Sequence, residues 1–181
     1  MGTFKMEALL KKNDGVFIAE RAIVRLGAAE LEFVKQQAQT SPRHRARICA
    51  HKEPEDPLHE MFIALSEKGY IRPHKHQHKS ESFHVLEGEA NVVIFNDSGE
   101  ITEVIQMGSL GSPKAVFYRL PAGHYHTVLL VSPIVVLHEV TNGPFQTDET
   151  IQAPFAPPET ERDLAREYIK SLTSRVAAKT N

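Results

Sequence analysis

The chain has 181 residues, of which 41% are hydrophobic and 24% are charged. This composition fits one ordinary soluble domain and excludes a fibre, a disordered tail or a membrane bundle. The formal net charge is only −2, so the chain lacks the positive field with which proteins hold nucleic-acid phosphates, and we expect no nucleic-acid partner.

The segment 1–44 is predicted to be an extension that precedes the main body. Residues Val16 to Leu26 mix apolar and charged side chains, a pattern that fits an N-terminal strand at the edge of that body. Residues Ala28 to Gln39 place apolar side chains at helical spacing. We expect this helix to end at Thr40-Ser41-Pro42, because the residue before a proline avoids the helical conformation.

The segment 45–145 changes to short runs of β-forming residues separated by turn residues. Eight short strands at this spacing predict a β-sandwich or barrel. The predicted strands are Arg45 to His51, Leu58 to Ser66, Ser82 to Leu86, Ala90 to Asn96, Ile101 to Ile105, Ala115 to Leu120, His126 to Val131 and Ile134 to Thr141.

The segment 146–181 is predicted to be a proline-rich arm followed by a helix, all within the same domain. The prolines between Ala153 and Pro158 exclude a strand there. From Glu159 to about Val176 the apolar residues form one stripe, which predicts an amphipathic helix docked on the barrel or on a second subunit. Because a compact barrel needs neither this stripe nor the N-terminal strand, we expect a homodimer.

Seven of the ten histidines fall between His74 and His138. On an extended chain, residues i and i+2 point the same way, so His74 and His76 can present two imidazoles to one point inside a barrel. Glu81 would add a hard anionic ligand, and this mixture suits borderline divalent metals. An isolated His-x-His pair is, however, more often a surface strand with solvated imidazoles.

A second segment favours the metal interpretation. Pro121-Ala122-Gly123 forms a turn signal directly before His124-Tyr125-His126, and such a turn can aim His126 inward at the start of a strand. Three histidines and one glutamate would form a half-shell with open coordination positions. We therefore predict one divalent transition metal, with Zn, Ni, Fe, Mn and Cu all compatible.

These two segments resemble the two motifs of the cupin superfamily. The first motif maps onto His74, His76, Glu81 and Gly88, and the second maps onto Pro121, Gly123 and His126. Three motif positions differ, and none of them is a ligand: only four residues separate Gly69 from His74, Ala115 replaces a glycine and Leu130 replaces an asparagine. The resemblance implies an all-β core, a double-stranded β-helix of the cupin or jelly-roll type, with an N-terminal helix and a C-terminal amphipathic helix.

Further segments resemble the WbuC-type cupin-fold metalloproteins, over about Ala28 to Pro158. They include Ser41-Pro42-Arg43, Pro54 to Met61, Arg72 to His76 and Lys79 to Gly88. That family is encoded among surface-polysaccharide genes. The resemblance therefore implies a metal site and, more loosely, a sugar or nucleotide-sugar type ligand.

Other residues are candidates for ligand binding and proton transfer. Arg43, Arg45 and Arg47 alternate along a predicted strand, and they form either a solvated face or a clamp for phosphate or carboxylate. His124 could face the pocket beside His126, so we take His124 and Glu81 as candidate catalytic residues. We take Tyr125 as a further substrate-binding residue.

Three histidines are assigned other roles. His78 is expected to face solvent, His84 to face away from the cavity, and His138 to be a satisfied core histidine.

Three functions remain open at this stage. The first is a metal-dependent isomerase or epimerase that acts on an anionic sugar derivative. The second is an Fe(II) dioxygenase. The third is a non-catalytic ligand-binding or sensor cupin.

The expected location is the cytoplasm. The single cysteine, Cys49, suits a reducing compartment, and the first 15 residues lack the apolar run of a signal peptide. The longest apolar stretch, Thr127 to Leu137, is too short to cross a bilayer, so we expect no membrane partner.

Overall fold

The computed structural model describes residues 7–180, apart from the side chain of Thr147. Strands in this part of the chain form two sheets, accompanied by two α-helices and a short 3-10 helix at Thr147–Glu149. The helices are α1 (Ala28–Thr40) and α2 (Arg162–Thr180). The strands are β1 (Leu9–Asn13), β2 (Val16–Ala19), β3 (Arg45–Cys49), β4 (Leu58–Ser66), β5 (His74–His76), β6 (Glu81–Glu87), β7 (Glu89–Phe95), β8 (Ile101–Gly108), β9 (Phe117–Leu120), β10 (Tyr125–Leu130), β11 (Ile134–Asn142) and β12 (Thr150–Gln152).

The strand order is that of a jelly roll. One sheet has the order β1-β2-β3-β4-β11-β6-β9, and the other has the order β12-β5-β10-β7-β8. From β4 to β11 the chain crosses repeatedly between the two sheets, so that β4-β11-β6-β9 faces β5-β10-β7-β8 as a double-stranded β-helix. The predicted all-β core with one helix before it and one after it is confirmed.

Alternation along the strands builds the core between the sheets. On β6, Phe83 and Val85 are buried while His84 is exposed, because successive side chains of a strand point to opposite faces. Val92 on β7 and Leu137 on β11 belong to the same buried cluster.

Each helix covers the outer face of one sheet. Val34 and Ala38 of α1 pack against Ile48 of the seven-stranded sheet. Leu172 and Val176 of α2 pack against the five-stranded sheet in a cluster with Val93, Phe95, Ile101 and Tyr125. The apolar stripe of the C-terminal helix is therefore covered by its own barrel. The homodimer stays a prediction, but this stripe no longer supports it.

The N-terminal strand is shorter than predicted, and it belongs to a hairpin. Instead of running from Val16 to Leu26, it ends at Ala19, whose partner in the register is Leu9 at the start of β1. Gly15 adopts a φ of 78° in the connecting turn, a conformation that favours glycine. The hairpin then joins the main sheet through a parallel pairing of β2 with β3.

Two strands of three residues were not predicted as strands, because their length is below what periodicity can detect. One is β5, which carries the first histidine pair, and the other is β12, which pairs with it. Within the described residues, none of the helices is long and apolar enough to cross a membrane.

Candidate metal centre

The two histidine motifs meet on neighbouring strands. In the register between β5 and β10, His126 lies opposite His74. One ring nitrogen from each of His74, His76 and His126 lies within 4.8 Å of the others. The predicted parity therefore brings the three imidazoles to one point inside the barrel.

Glu81 reaches the same point from the other sheet, as the first residue of β6. Its Oε1 lies 2.9 Å from His126 Nε2, and its Oε2 lies 3.3 Å from His76 Nε2. The Glu81 side chain is only 3% exposed. The four residues predicted as ligands thus form one cluster between the two sheets.

The turn before His126 connects the two motifs directly. Gly123 has a φ of 88°, which an L side chain adopts only with strain. Its backbone N–H donates a hydrogen bond of 2.8 Å to the carbonyl oxygen of His76. Because this bond ties the end of β5 to the turn before β10, the relative position of the two histidine pairs is fixed by backbone.

Each histidine is oriented through its Nδ1 atom, which leaves Nε2 directed towards Glu81 or its neighbourhood. Such contacts fix the tautomer and the ring orientation of metal-binding histidines. The contacts are His74 Nδ1 with the Arg72 carbonyl oxygen at 2.9 Å, His126 Nδ1 with the His124 carbonyl oxygen at 3.0 Å, and His76 Nδ1 with Thr150 Oγ1 at 3.2 Å.

One buried atom in this cluster has no hydrogen-bond partner. His126 Nε2 is buried and lies 2.9 Å from Glu81 Oε1, but it forms no hydrogen bond. Buried polar nitrogens are rarely left in this state. Three imidazole nitrogens and one carboxylate are a donor set suited to a divalent transition metal, so the residues present fit such an ion.

Glu81 and His126 shift each other's pKa values through the attraction between their charges. Burial favours a neutral Glu81 carboxyl, but the charge of His126 and the hydrogen bond from Tyr118 hold its pKa well below the usual range. Burial also favours neutral His126, yet the charge of Glu81 outweighs it and raises the pKa of His126. Burial and the neighbouring His126 lower the pKa of His74 to about 4, which keeps this imidazole in its metal-binding form.

The cluster lies on the wall of a cavity of about 700 Å³. This volume is within the range of small-molecule sites. Much of the wall is apolar and comes from inward-facing strand residues, namely Met61, Ile63, Leu65, Phe83, Val128 and Leu137. Polar and charged side chains, including the histidine cluster, line the rest of the wall and can fix the orientation of a ligand.

The three arginines all line this cavity, but they have different partners. Arg43 and Arg45 bind the carboxylate of Glu159, on the arm before α2, with nitrogen–oxygen distances of 2.7 to 3.2 Å. Arg43 itself precedes β3, separated from it by His44 with a φ of 52°. Within the part of the chain that the structure describes, Arg47 forms no ion pair, so of these three arginines it is the one whose guanidinium is available to an anionic ligand.

The structure places His124 and Tyr125 outside the cavity wall. His124 is exposed in the turn before β10, and its Nδ1 lies 3.1 Å from the carbonyl oxygen of Ala122. Tyr125 points to the opposite face of β10 from His126, where its ring packs at 5.4 Å from Phe155 and beneath the Lys75 ammonium at 4.3 Å. Strand alternation explains the placement of Tyr125, because His126 faces inward and its neighbour on the strand must face outward. His124 lies before the start of β10, so strand parity does not direct it inward.

The remaining predicted histidines lie away from the cluster. His78 is exposed in the bend after β5, and His84 is exposed on the outer face of β6. His138 stacks on Phe62 with ring centroids 4.6 Å apart and is half-buried.

Among the carboxyls on the cavity wall that the sequence analysis missed is that of Glu139 in β11. Burial raises the pKa of Glu139 to about 8, and the negative charge of Glu81 adds to this effect. The strand Ile134–Asn142 was predicted, but which of its faces points inward depends on its pairing with β4 and β6, and this pairing has no local signal.

Comparison with known proteins finds one family whose model matches part of the chain. Residues 26–107 match a family described as a domain of unknown function (DUF6016). No curated protein is similar to the sequence. The strand order and the two histidine motifs described above give the chain a cupin fold.

Similar solved structures include three that are below 25% identical. Protein SO0799 from Shewanella oneidensis is 12% identical with a TM-score of 0.46, over 57% of this chain and 66% of that chain. Oxalate decarboxylase from Bacillus subtilis is 20% identical with a TM-score of 0.44, over 54% of this chain and 24% of that chain. The cupin domain of Cnp3 from Schizosaccharomyces pombe is 18% identical with a TM-score of 0.42, over 54% and 64%. In each case the chain spans less than two thirds of the other protein.

Proposed function

We propose that the protein is a metal-binding cupin that acts on a sugar or nucleotide-sugar type small molecule with an anionic group, in surface-polysaccharide metabolism. The observation that carries this proposal is the composition of one cavity wall. A cluster of three histidines and Glu81 shares a cavity of about 700 Å³ with Arg47, whose guanidinium forms no ion pair among residues 7–180.

The ligand class follows from the polar groups of that wall. Arg47 offers a bidentate donor to a carboxylate or a phosphate. A cavity of this size accommodates a monosaccharide derivative. The place in polysaccharide metabolism depends on the resemblance to the WbuC-type proteins.

Different residues of the cavity wall would bind the metal, bind the ligand and exclude water. His74, His76, Glu81 and His126 would hold the metal, which when bound polarises a carbonyl or hydroxyl oxygen. Arg47 would bind the anionic group and thereby orient the ligand. The apolar side chains of Met61, Ile63 and Leu137 line the space between and limit the access of water.

Proton transfer by His124 is not favoured by its position in the exposed turn. Among the residues proposed from sequence for this role, only Glu81 is on the cavity wall. Because Glu81 is also a proposed metal ligand, its carboxylate would act mainly by holding the ion.

The experiment begins with metal analysis of protein purified without a histidine tag. The metal-loaded protein is then screened by thermal shift against sugar phosphates, sugar acids and nucleotide sugars, and each ligand that binds is incubated with the protein and followed by NMR. Arg47→Ala should lose the shift caused by anionic ligands, whereas Arg25→Ala, at an exposed position outside the cavity, should keep it.

The outcomes separate the alternatives. Binding with a new product supports an enzyme, and binding without conversion supports a non-catalytic sensor. Conversion that requires both Fe(II) and dioxygen supports the dioxygenase. Binding of neutral ligands alone, or equal binding by the Arg47→Ala variant, would contradict the proposed ligand class.

A further inference from the structure

Glu139 is a carboxyl on the cavity wall that the proposed metal site does not use. We propose that Glu139 contacts the bound ligand directly, through a hydrogen bond to a hydroxyl group of the same molecule whose anionic group binds Arg47. The inference rests on the proposed function and narrows its ligand to a polyhydroxylated anion, such as a sugar acid or a sugar phosphate.

Strand register places Glu139 on the inward face of the seven-stranded sheet. Glu139 lies opposite Met61 of β4 on one side and opposite Phe83 of β6 on the other. Met61 and Phe83 both line the cavity. Side chains at directly opposite positions of paired strands share a face, so the Glu139 side chain faces the same space.

Two other carboxyls on the cavity wall, those of Glu81 and Glu159, are engaged by neighbouring side chains. Glu81 accepts a hydrogen bond from Tyr118 and lies against two histidines. Glu159 is bound by Arg43 and Arg45. Within residues 7–180, Glu139 has neither a hydrogen bond nor an ion pair through its side chain, so both of its oxygens are available to a ligand.

A structural role does not explain Glu139. Its surroundings on the sheet are Met61, Phe83 and Leu137, which offer no hydrogen-bond donor from their side chains. Burying a carboxyl without a partner costs folding free energy, and an apolar side chain would fill this position at lower cost. Residues that lower stability in this way are typical of functional sites.

The position of Arg47 relative to Glu139 defines the size of the ligand. Arg47 is on β3 and Glu139 is on β11, with β4 between them. Their backbones are therefore two strand spacings apart, roughly 10 Å. Because Arg47 and Glu139 form no ion pair across this gap in the described structure, a molecule with several atoms between its anionic group and a hydroxyl can bridge them.

The register also sets where the bridging molecule would lie. Arg47 is opposite Ile63, and Ile63 is opposite Leu137, which precedes Glu139 by two residues on the same face. A carbon chain that runs from Arg47 to Glu139 would therefore cross the apolar side chains of Ile63 and Met61. Its other oxygens would face the histidine cluster on the opposite sheet.

The test compares two six-carbon carboxylates that differ in their hydroxyl groups, gluconate and hexanoate. Their binding to the Zn²⁺-loaded protein is measured by calorimetry for the wild type, Glu139→Leu, Glu139→Gln and the control Glu60→Leu, whose residue lies on the opposite face of β4. Loss of one hydrogen bond between uncharged groups corresponds to a change of roughly two- to tenfold in affinity.

We expect Glu139→Leu to bind gluconate roughly two- to tenfold more weakly than the wild type does, with little change for hexanoate. Glu139→Gln should keep part of the preference, because an amide still forms hydrogen bonds with a hydroxyl. Glu60→Leu should bind as the wild type does. Glu139→Leu should also keep its zinc and gain thermal stability, which a purely structural carboxyl would not allow.

Two results would overturn the inference in distinguishable ways. If the wild type prefers gluconate and Glu139→Leu keeps that preference, Glu139 does not contact the ligand, while the proposed function stands. If the zinc-loaded wild type binds gluconate no better than hexanoate, the polyhydroxylated ligand class fails and the assignment of Glu139 fails with it.

Discussion

Tyr118 donates a hydrogen bond of 2.7 Å to Oε1 of Glu81, and both side chains are buried between the sheets. Tyr118 lies on β9, which pairs with the strand of Glu81. The phenol therefore holds the only carboxylate of the proposed metal centre in place. Outer contacts of this kind orient the ligands and strengthen metal binding.

We expect Tyr118→Phe to bind its metal roughly 10- to 100-fold more weakly than the wild type, because Glu81 loses its orienting donor. The measurement is a competition titration with a chelator of known affinity. Tyr70→Phe is the matched control, because the Tyr70 hydroxyl donates to the carbonyl oxygen of Pro157, away from the metal ligands. Equal metal affinities for all three proteins would show that Tyr118 does not orient the ligand.

Metal binding should release a proton from His126. Since the charge of Glu81 raises the pKa of His126 against the effect of burial, this imidazole is more readily protonated than an ordinary histidine, whereas the pKa of His74 is about 4. A metal binds only the neutral form of His126, so affinity should fall as the pH falls through the pKa of this residue. Calorimetry in two buffers of different ionisation enthalpy measures the protons released. Equal heats of metal binding in both buffers at pH 6 would show that no proton is released and would contradict a protonated His126.

Glu139→Gln should stabilise the metal-free protein increasingly as the pH rises. The wild-type carboxyl keeps its proton in the folded state up to a pKa of about 8, whereas in the unfolded chain its pKa is near the ordinary 4.5. Between these pH values the folded state binds more protons than the unfolded state, so the free energy of unfolding of the wild type falls as the pH rises. Glutamine does not titrate, so the variant does not lose this stability. Melting temperatures from pH 5 to pH 9 give the comparison. A constant difference over that range would contradict a raised pKa.

The C-terminal helix should be part of the folding unit of a single chain. Leu172 is 2% exposed and packs against the five-stranded sheet, so Leu172→Ala should lower the free energy of unfolding by about 2–5 kcal/mol. Urea denaturation at several protein concentrations measures both this loss and any dependence on association. A loss below about 0.5 kcal/mol, the size typical of surface substitutions, would show that the helix does not dock on its own barrel.

The proposed metal ligands were predictable in part because some of their geometry is local. His74 and His76 share a face by strand parity, and the Pro121–Gly123 turn sets the direction of the strand that carries His126. That the two segments and Glu81 meet at one point depends on the pairing of β5 with β10 and on the packing of the two sheets. This part of the prediction came from the resemblance to the two cupin motifs and not from local pattern.

The partners that the sequence analysis missed depend on contacts between distant segments. Glu159 binds Arg43 across a separation of 116 residues, so the alternation of the arginines could not show that two of them are paired. The inward position of Glu139 depends on the register of β11 with its neighbours. Likewise, the apolar stripe of α2 could have packed on its own barrel or on a second subunit, and only the tertiary structure distinguishes the two.

The central claim is that His74, His76, Glu81 and His126 bind one divalent metal ion. Its most direct test is elemental analysis of the tag-free wild type and of the His76→Ala/His126→Ala double variant after exposure to one metal at a time, with circular dichroism to verify the fold. We expect one ion per chain in the wild type and no stoichiometric metal in the folded double variant. Full metal occupancy in that variant would contradict the account.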